Sequence, residues 1–452
     1  MGKKIAEMTE TGVVTVKSSD SGRAASEVGA SDGTTQHFEI LVVGGGLAGL
    51  SMSAALASAG IAVAVVDRDD PENMISVPYD GRSSALARGS QQMLAAIGVW
   101  PHMAAAAQPI LDIRVSDGKI GRATSRLFLH YDHQDVSGEP LGYIVENRAT
   151  RLAFQAHLPT LPTLTRFAPN ELSELQRGAD GMPGANRVRA VLKDGQVLTA
   201  ELVIAADGRN STLRREAGIR STNWDYPQCG IVGTVHHERP HEGVAHEHFL
   251  PAGPFALLPM TDGEKGEYRS SLVWTESRAL TPHMLALDEA AFCAEMQRRF
   301  GDSLGRLRMP GKRWSYPLSL MHAERYSDHR LALIGDAAHA IHPISGQGFN
   351  LGLKDVAALS ECIVDARRLG LDIGSPQVLE RYERWRRFDN MALIATTDGL
   401  NRLFSNDLPP VRLARDLGLA AVNRMPGLKR FFMSHAMGLV GDLPRLIQGR
   451  PL

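Results

Sequence analysis

Short apolar runs recur along the chain, and four of them stop at glycine or aspartate: Phe38 to Val43, Ile61 to Val66, Leu202 to Ala206 and Leu331 to Ile334. Runs of this length without polar alternation fit strands buried on both faces, as in a parallel sheet. Leu50 to Ala59 reads as a helix closed by Gly60. A second segment opens at Asp80-Gly81-Arg82, and its positions Ala85-Leu86-Ala87, Leu94, Ile97 and Trp100 fall at helical spacing, which puts Arg82 near a helix start. Tyr143 to Arg148 predicts a strand leading into a helix over 149–157, and Val188 to Leu192 with Gln196 to Leu202 predicts a hairpin turning at Lys193-Asp194-Gly195. Strand-like pieces follow at Gly230 to His236, Phe255 to Leu258 and Arg269 to Trp274. Helical faces then dominate, at Val378 to Leu403, Val411 to Leu419 and Leu428 to Val440.

This order predicts an α/β chain: a Rossmann-like nucleotide-binding domain built from residues 37–220 and 325–375, an inserted β-sheet domain over 221–324, and a C-terminal helical region over 376–452. Residues 1–36 are rich in Ser, Thr, Gly, Ala and Asp without apolar periodicity, and are expected to be disordered.

Three glycine-anchored turns sit at the ends of the buried strands. Gly44-Gly45-Gly46-Leu47-Ala48-Gly49 lies between strand and helix, where Gly44 permits the tight turn, Gly46 lets a pyrophosphate approach the backbone and Gly49 lets the helix pack on the strand. The free amides and positive end of that helix would face the phosphates. Asp67 ends the next strand, placed to accept ribose hydroxyls. The second turn is Asp207-Gly208. The third is Gly335-Asp336, suited to the hydroxyls of a ribityl chain, followed by Gly346-Gln347-Gly348-Phe349-Asn350 at the start of another helix. Amides there could point at a flavin pyrimidine edge and stabilise the anion of the reduced ring. Together these turns describe one extended FAD site. Arg82 and Arg148 are further candidates, neutralising the pyrophosphate or bordering the flavin, or simply lying on the surface.

Composition narrows the partners. The net charge of −1 argues against nucleic acid, and 43% apolar residues can fill a large core. Cys229, Cys293 and Cys362 have no paired spacing. His236, His237, His241, His246 and His248 lack the Cys partners or His-Glu-x-x-His pattern of a zinc site, so no metal is expected. No signal-peptide pattern and no membrane-spanning run is found, which points to the cytoplasm. From Pro409 onward there are seven Lys or Arg against two Asp, so the tail either rests on anionic lipid or a partner, or packs on its own domain.

The chain resembles the ubiquinone-biosynthesis flavin hydroxylases, which belong to the group A aromatic monooxygenases. The resemblance is carried by Arg82 with Ala85-Leu86, Ser90, Leu94 and Trp100, by Asp207-Gly208, by Gly335-Asp336-Ala337-Ala338-His339 with His342-Pro343 and Gly346-Gln347-Gly348, and by Phe249-Leu250-Pro251 and Ala256-Leu257-Leu258-Pro259. It spans roughly residues 37 to 400 and departs at Asp67, where the family usually has Glu. It implies that NADH or NADPH reduces FAD, that the reduced flavin and O2 hydroxylate a polyprenylated phenol, and that the protein orients the ring and excludes water. It also places His342 and Pro343 beside the flavin. A flavin oxidoreductase of the same fold acting on another substrate, or a non-catalytic flavin-binding scaffold, remains open. So do contact with a biosynthetic protein complex and peripheral attachment to the membrane. No acid or base can be named from the sequence.

Overall fold

The structure is a computed structural model. It describes residues 35–76, 82–118, 120–121, 128–136, 138–178, 186–341, 346–404 and 425–452. The expectations for residues 1–34, for Asp80 and Gly81, for His342 and Pro343 and for the helix over 411–419 lie outside these residues.

Strand β1 (Ile40–Val43) enters α1 (Leu47–Ser58), and β2 (Val63–Val66) follows. A short helix α2 (Pro71–Ser76) precedes β3 (Ser83–Ala87) and α3 (Arg88–Ala96). Then come β4 (Asp112–Asp117), β5 (Phe128–Asp132), β6 (Gly142–Glu146), α4 (Asn147–His157) and β7 (Leu164–Phe167). The predicted hairpin over 188–200 forms and leads into β8 (Leu202–Ala205) and α5 (Thr212–Glu216). Four long strands follow: β9 (Ser221–His237), β10 (Val244–Leu250), β11 (Gly253–Met260) and β12 (Tyr268–Ser277). After α6 (Glu289–Phe300) come β13 (Trp314–Ala323) and β14 (Leu331–Leu333), and the chain ends in α7 (Gln347–Arg368), α8 (Pro376–Phe404) and α9 (Pro426–Ala436).

The buried apolar runs assemble as expected. β14, β8, β1, β2 and β7 lie side by side in that order and run parallel. α1 lies against this sheet with nine consecutive residues buried, from Gly49 to Ala57. Small side chains make that possible: an added Cβ on Gly335 would sit 3.2 Å from Ala48 Cβ, and one on Gly352 would sit 3.4 Å from Gly335 Cα, so α1, α7 and the third glycine turn meet almost backbone to backbone.

One element differs from expectation. The segment beginning at Arg82 is first the strand β3 and only from Arg88 a helix, so Arg82 precedes a strand. β3 pairs antiparallel with β6 from Ser83 opposite Glu146 to Ala87 opposite Gly142, and this tertiary pairing overrides the local helical spacing.

The large sheet has the order β13, β9, β12, β11, β10, β4, β5, with the short strand His339–Ala340 added beyond β13. It therefore takes β4 and β5 from well before residue 221, because β10 pairs in parallel with β4. One face carries Ile231, Val235, Phe255, Leu257, Leu272 and Trp274 and is covered by Phe292, Met296 and Phe300 of α6. On the other face Ala245 and Met260 pack with Ile144 of β6, with Met433 of α9 and with Met437 just after it, and Ala85 and Tyr131 border the same cluster. The nucleotide-binding unit thus leans on this second face.

Within the described residues the tail packs on its own chain. Lys429 pairs with Asp135 at 2.6 Å, and Arg445 pairs with Asp365 at 2.5 Å and Glu361 at 3.3 Å. No helix among the described residues is long and apolar enough to cross a membrane.

Candidate FAD site

The first glycine turn shows which glycines serve the protein and which leave room. Gly44 has φ +108°, and a Cβ there would lie 2.3 Å from Ala206 O; on Gly49 it would lie 1.9 Å from Gly44 O. Both are compelled by packing. Gly46 differs, because its φ of −69° suits any residue and a Cβ would meet no protein atom within 4 Å. The space beside it is left for something other than protein. Leu47 and Ala48 form the first turn of α1, which has no side-chain cap and no acidic residue. Such an end favours phosphate.

Asp67, 8% exposed, ends β2. Its Oδ1 accepts from the Asp69 amide at 3.0 Å, while Oδ2 borders Gly45, where an added Cβ would come within 2.1 Å. The carboxylate is thereby held against the turn, as a ribose acceptor must be.

Asp207 lies two residues beyond β8, and its Oδ2 accepts from the amides of Thr212 at 2.8 Å and Leu213 at 3.3 Å at the start of α5. Its Oδ1 is buried with no hydrogen-bond partner in the protein. A buried acceptor left open is costly unless a ligand donates to it. Arg214 ties this turn to the next by donating to Ala337 O and Arg209 O, each at 2.8 Å.

In the third turn Gly335 has φ +55° and Asp336 is solvent-exposed, yet protein surrounds it closely enough that burial pushes its carboxyl above the ordinary range against the pull of His339 and Arg209. An acid at the bottom of an open groove fits both observations. α7 starts at Gly346, φ +61°, where a Cβ would fall 2.8 Å from Ala85 Cβ; no side chain caps this helix either, and no acid lies in its first turn. Gln347, Gly348 and Phe349 form that turn, and a Cβ on Gly348 would meet nothing within 4 Å.

The structure gives three candidates partners within the protein. Asn350, 3% exposed, accepts from the Ala87 amide at 2.9 Å and donates to Ala85 O at 2.8 Å, so its side chain fastens α7 to β3. Arg148 donates from Nε to Ile75 O at 3.0 Å, at the end of α2. Arg82 lies with Cζ 6.0 Å from the centre of the Tyr316 ring, against the large sheet.

A buried polar hub behind the third turn was not anticipated. Asp355 of α7, fully buried, accepts from the Gly335 amide at 3.1 Å, contacts His339 Nε2 at 2.5 Å and accepts from Arg386 Nε at 3.0 Å. Asn390 joins it to the Tyr326 hydroxyl, which also meets His322. The available signal was an aspartate, Asp355, placed directly before the apolar run Val356 to Leu359 of this helix.

Two uncapped helix starts, open space at Gly46 and Gly348, and an unpartnered Asp207 oxygen are the features an FAD molecule stretched across the three turns would use. A family profile described as FAD binding domain matches residues 37–397. The chain is 52% identical to ubiquinone hydroxylase UbiL of Rhodospirillum rubrum over 417 residues, covering 92% of this chain and 93% of that protein. It is 36% identical to 3-demethoxyubiquinol 3-hydroxylase of Escherichia coli K12, covering 90% and 100%. Among solved structures, p-nitrophenol 4-monooxygenase PnpA of Pseudomonas putida DLL-E4 superposes with a TM-score of 0.71 at 20% identity, covering 90% of this chain and all of that one, a likeness of fold. The chain therefore belongs to the FAD binding domain family, within its group of ubiquinone-biosynthesis flavin hydroxylases.

Proposed function

We propose that this chain is an FAD-dependent monooxygenase that uses NADH or NADPH and O2 to hydroxylate the ring of a polyprenylated phenol in ubiquinone formation. The observation that carries this reading is the match along nearly the whole chain to a ubiquinone hydroxylase, with all three glycine turns in place. When bound, FAD supplies the activation of oxygen that no side chain can provide. The residues divide the remaining work. The start of α1 and Gly46 take the pyrophosphate, Asp67 the adenosine ribose, Asp207 a donor of the cofactor and Asp336 the ribityl hydroxyls. The start of α7 sets its amides at the ring edge that gains negative charge on reduction.

The second face of the large sheet covers the substrate. Its apolar lining suits a prenylated ring. Nicotinamide docks transiently, since no second strand-linked Gly-x-Gly-x-x-Gly turn occurs in the sequence. The basic residues after Pro409 other than Lys429 and Arg445, which pair within the chain, would let the protein rest on a membrane or in a biosynthetic complex where such a substrate is met.

The test is oxygen incorporation. Purified FAD-loaded protein given NADH or NADPH, ¹⁸O₂ and a prenylated phenol should yield ring-hydroxylated product carrying the label. Nicotinamide oxidation with prenyl reduction and no label would instead assign a reductase.

A further inference from the structure

Six of the seven residues of β10 are buried; Glu247, in the middle, is the one that solvent still reaches. Its neighbours across the sheet are Ala256 of β11 and Val115 of β4. Alternation along the strands puts Glu247 on the second face, away from His246 and His248, which lie edge-on to Phe300 on the other side. Adjoining it on that face are the pair Ser271–Leu258 and the row Ala245, Ile113, Tyr131, and Leu258 packs in one cluster with that row. Ser83, at the start of β3, hydrogen-bonds Ser271 at 2.7 Å. Two residues further along β3, Ala85 touches Gly346, where α7 begins. Glu247 therefore stands one row from the line along which the nucleotide-binding unit meets the sheet, on the face that covers the substrate.

Among the described residues no hydrogen bond or ion pair reaches the Glu247 carboxylate or the Tyr131 hydroxyl. Burial lifts the Glu247 carboxyl to about 7, and burial together with the Glu247 charge lifts Tyr131 to about 12. The two groups thus feel one another. Arg114, Asp112 and His130 belong to the opposite face, while Asp117 shares the face of Glu247 two residues beyond Val115. Arg82 reaches this face at Tyr316, and the Arg269–Glu146 pair lies at its far end. An acid surrounded by protein, touched by solvent and without a donor contributes nothing to stability; it is costly there unless a ligand uses it.

We propose, on the reading that the substrate is a phenol, that Glu247 is the base that takes the proton of the substrate's ring hydroxyl, with the Tyr131 phenol hydrogen-bonded to the same oxygen. The step moves one proton from the phenolic oxygen to a carboxylate oxygen and leaves its electron pair on the ring oxygen. That makes the ring more electron-rich at the moment oxygen is transferred. The proton then leaves through the solvent that reaches Glu247.

The test uses FAD-loaded protein, 2-geranylphenol and its methyl ether. Wild-type turnover of geranylphenol should fall as pH drops through about 7, the range to which Glu247 is raised. E247Q should lower kcat by about 100-fold or more, with little change in KM, and lose that acid limb. Its amide oxygen still accepts a hydrogen bond, so it should keep the preference for geranylphenol over the ether in flavin difference titrations; E247L should lose it. Both variants should retain FAD. Wild-type turnover with an unchanged acid limb in E247Q overturns the proposal, as does a parallel loss of FAD and activity in both variants with the pH dependence intact. Wild-type protein that hydroxylates nothing defeats the reaction reading instead, while the phenol-against-ether comparison still decides whether Glu247 holds the hydroxyl.

Discussion

Asp355 Oδ2 lies 2.5 Å from His339 Nε2, and both side chains are buried behind the turn that carries Asp336. Burial alone would raise the Asp355 carboxyl, but His339 and Arg386 outweigh it and hold it at about 2. A carboxylate depressed in the folded state stabilises the protein above its unfolded pKa, near 4, and that stability is lost as pH falls through about 2. Removing it leaves the buried Arg386 with Asp389, at 3.0 Å and itself partly exposed, as its remaining charge partner, and leaves His339 without its acid. Asp355→Ala is expected to destabilise by about 3–5 kcal/mol, the cost typical of breaking a buried pair from one side. Urea unfolding at pH 7 measures that loss, and the difference from wild type should shrink as pH is lowered from 4 toward 2.

The glycines of the first turn separate folding from binding. Gly46→Ala adds a Cβ into space that no protein atom occupies, at a φ that alanine accepts, so stability without cofactor should stay within about 0.5 kcal/mol of wild type. FAD affinity should fall at least tenfold. Gly49→Ala pushes a Cβ to 1.9 Å from Gly44 O and should lower the melting temperature of the cofactor-free protein. Equal behaviour of the two variants in calorimetry and flavin titration would contradict the assignment of the space beside Gly46.

Much of this site was legible because backbone demands leave a signature in residue type. A left-handed turn at Gly44 or Gly335 calls for glycine, and a strand buried on both faces calls for an uninterrupted apolar run such as Leu202 to Ala205. Side-chain pairing across distant segments leaves no such mark. Asn350 looked like part of the cofactor loop, yet its amide is spent on Ala85 and Ala87, more than 260 residues away along the chain. β3 was read as helix because its pairing with β6 cannot be seen in a local window. The same reason hid β4 and β5 as members of the large sheet, and with them the setting of Glu247, which lies in the sequence between two histidines that face the other way.

Asp336 offers a prediction with opposite signs for stability and binding. Its carboxyl is raised in the folded state, so the stability it contributes is present below its unfolded pKa and is lost as pH rises through the folded one. Asp336→Asn removes that penalty, and the cofactor-free variant should melt no lower than wild type at pH 7. Flavin retention after desalting should nevertheless fall, because a carboxylate is the stronger acceptor for ribityl hydroxyls. Undiminished flavin content in this variant would contradict the placement of the ribityl chain.

His246 and His248 test the sheet's other face. Burial, with His248 and Arg114 adding to it, holds His246 near 3, and burial holds His248 near 4, where its ring also meets Ser116 Oγ at 2.6 Å. Both are neutral in the folded protein at pH 7, while in the unfolded chain they titrate near 6.5. Stability attached to them is therefore complete above pH 6.5 and falls as pH drops toward 4. His246→Leu keeps an apolar contact against Phe300 and removes one titrating group, so the variant should lose less stability than wild type between pH 6.5 and 4. Thermal melts across that interval measure the difference; parallel curves would mean that His246 is not held neutral against α6.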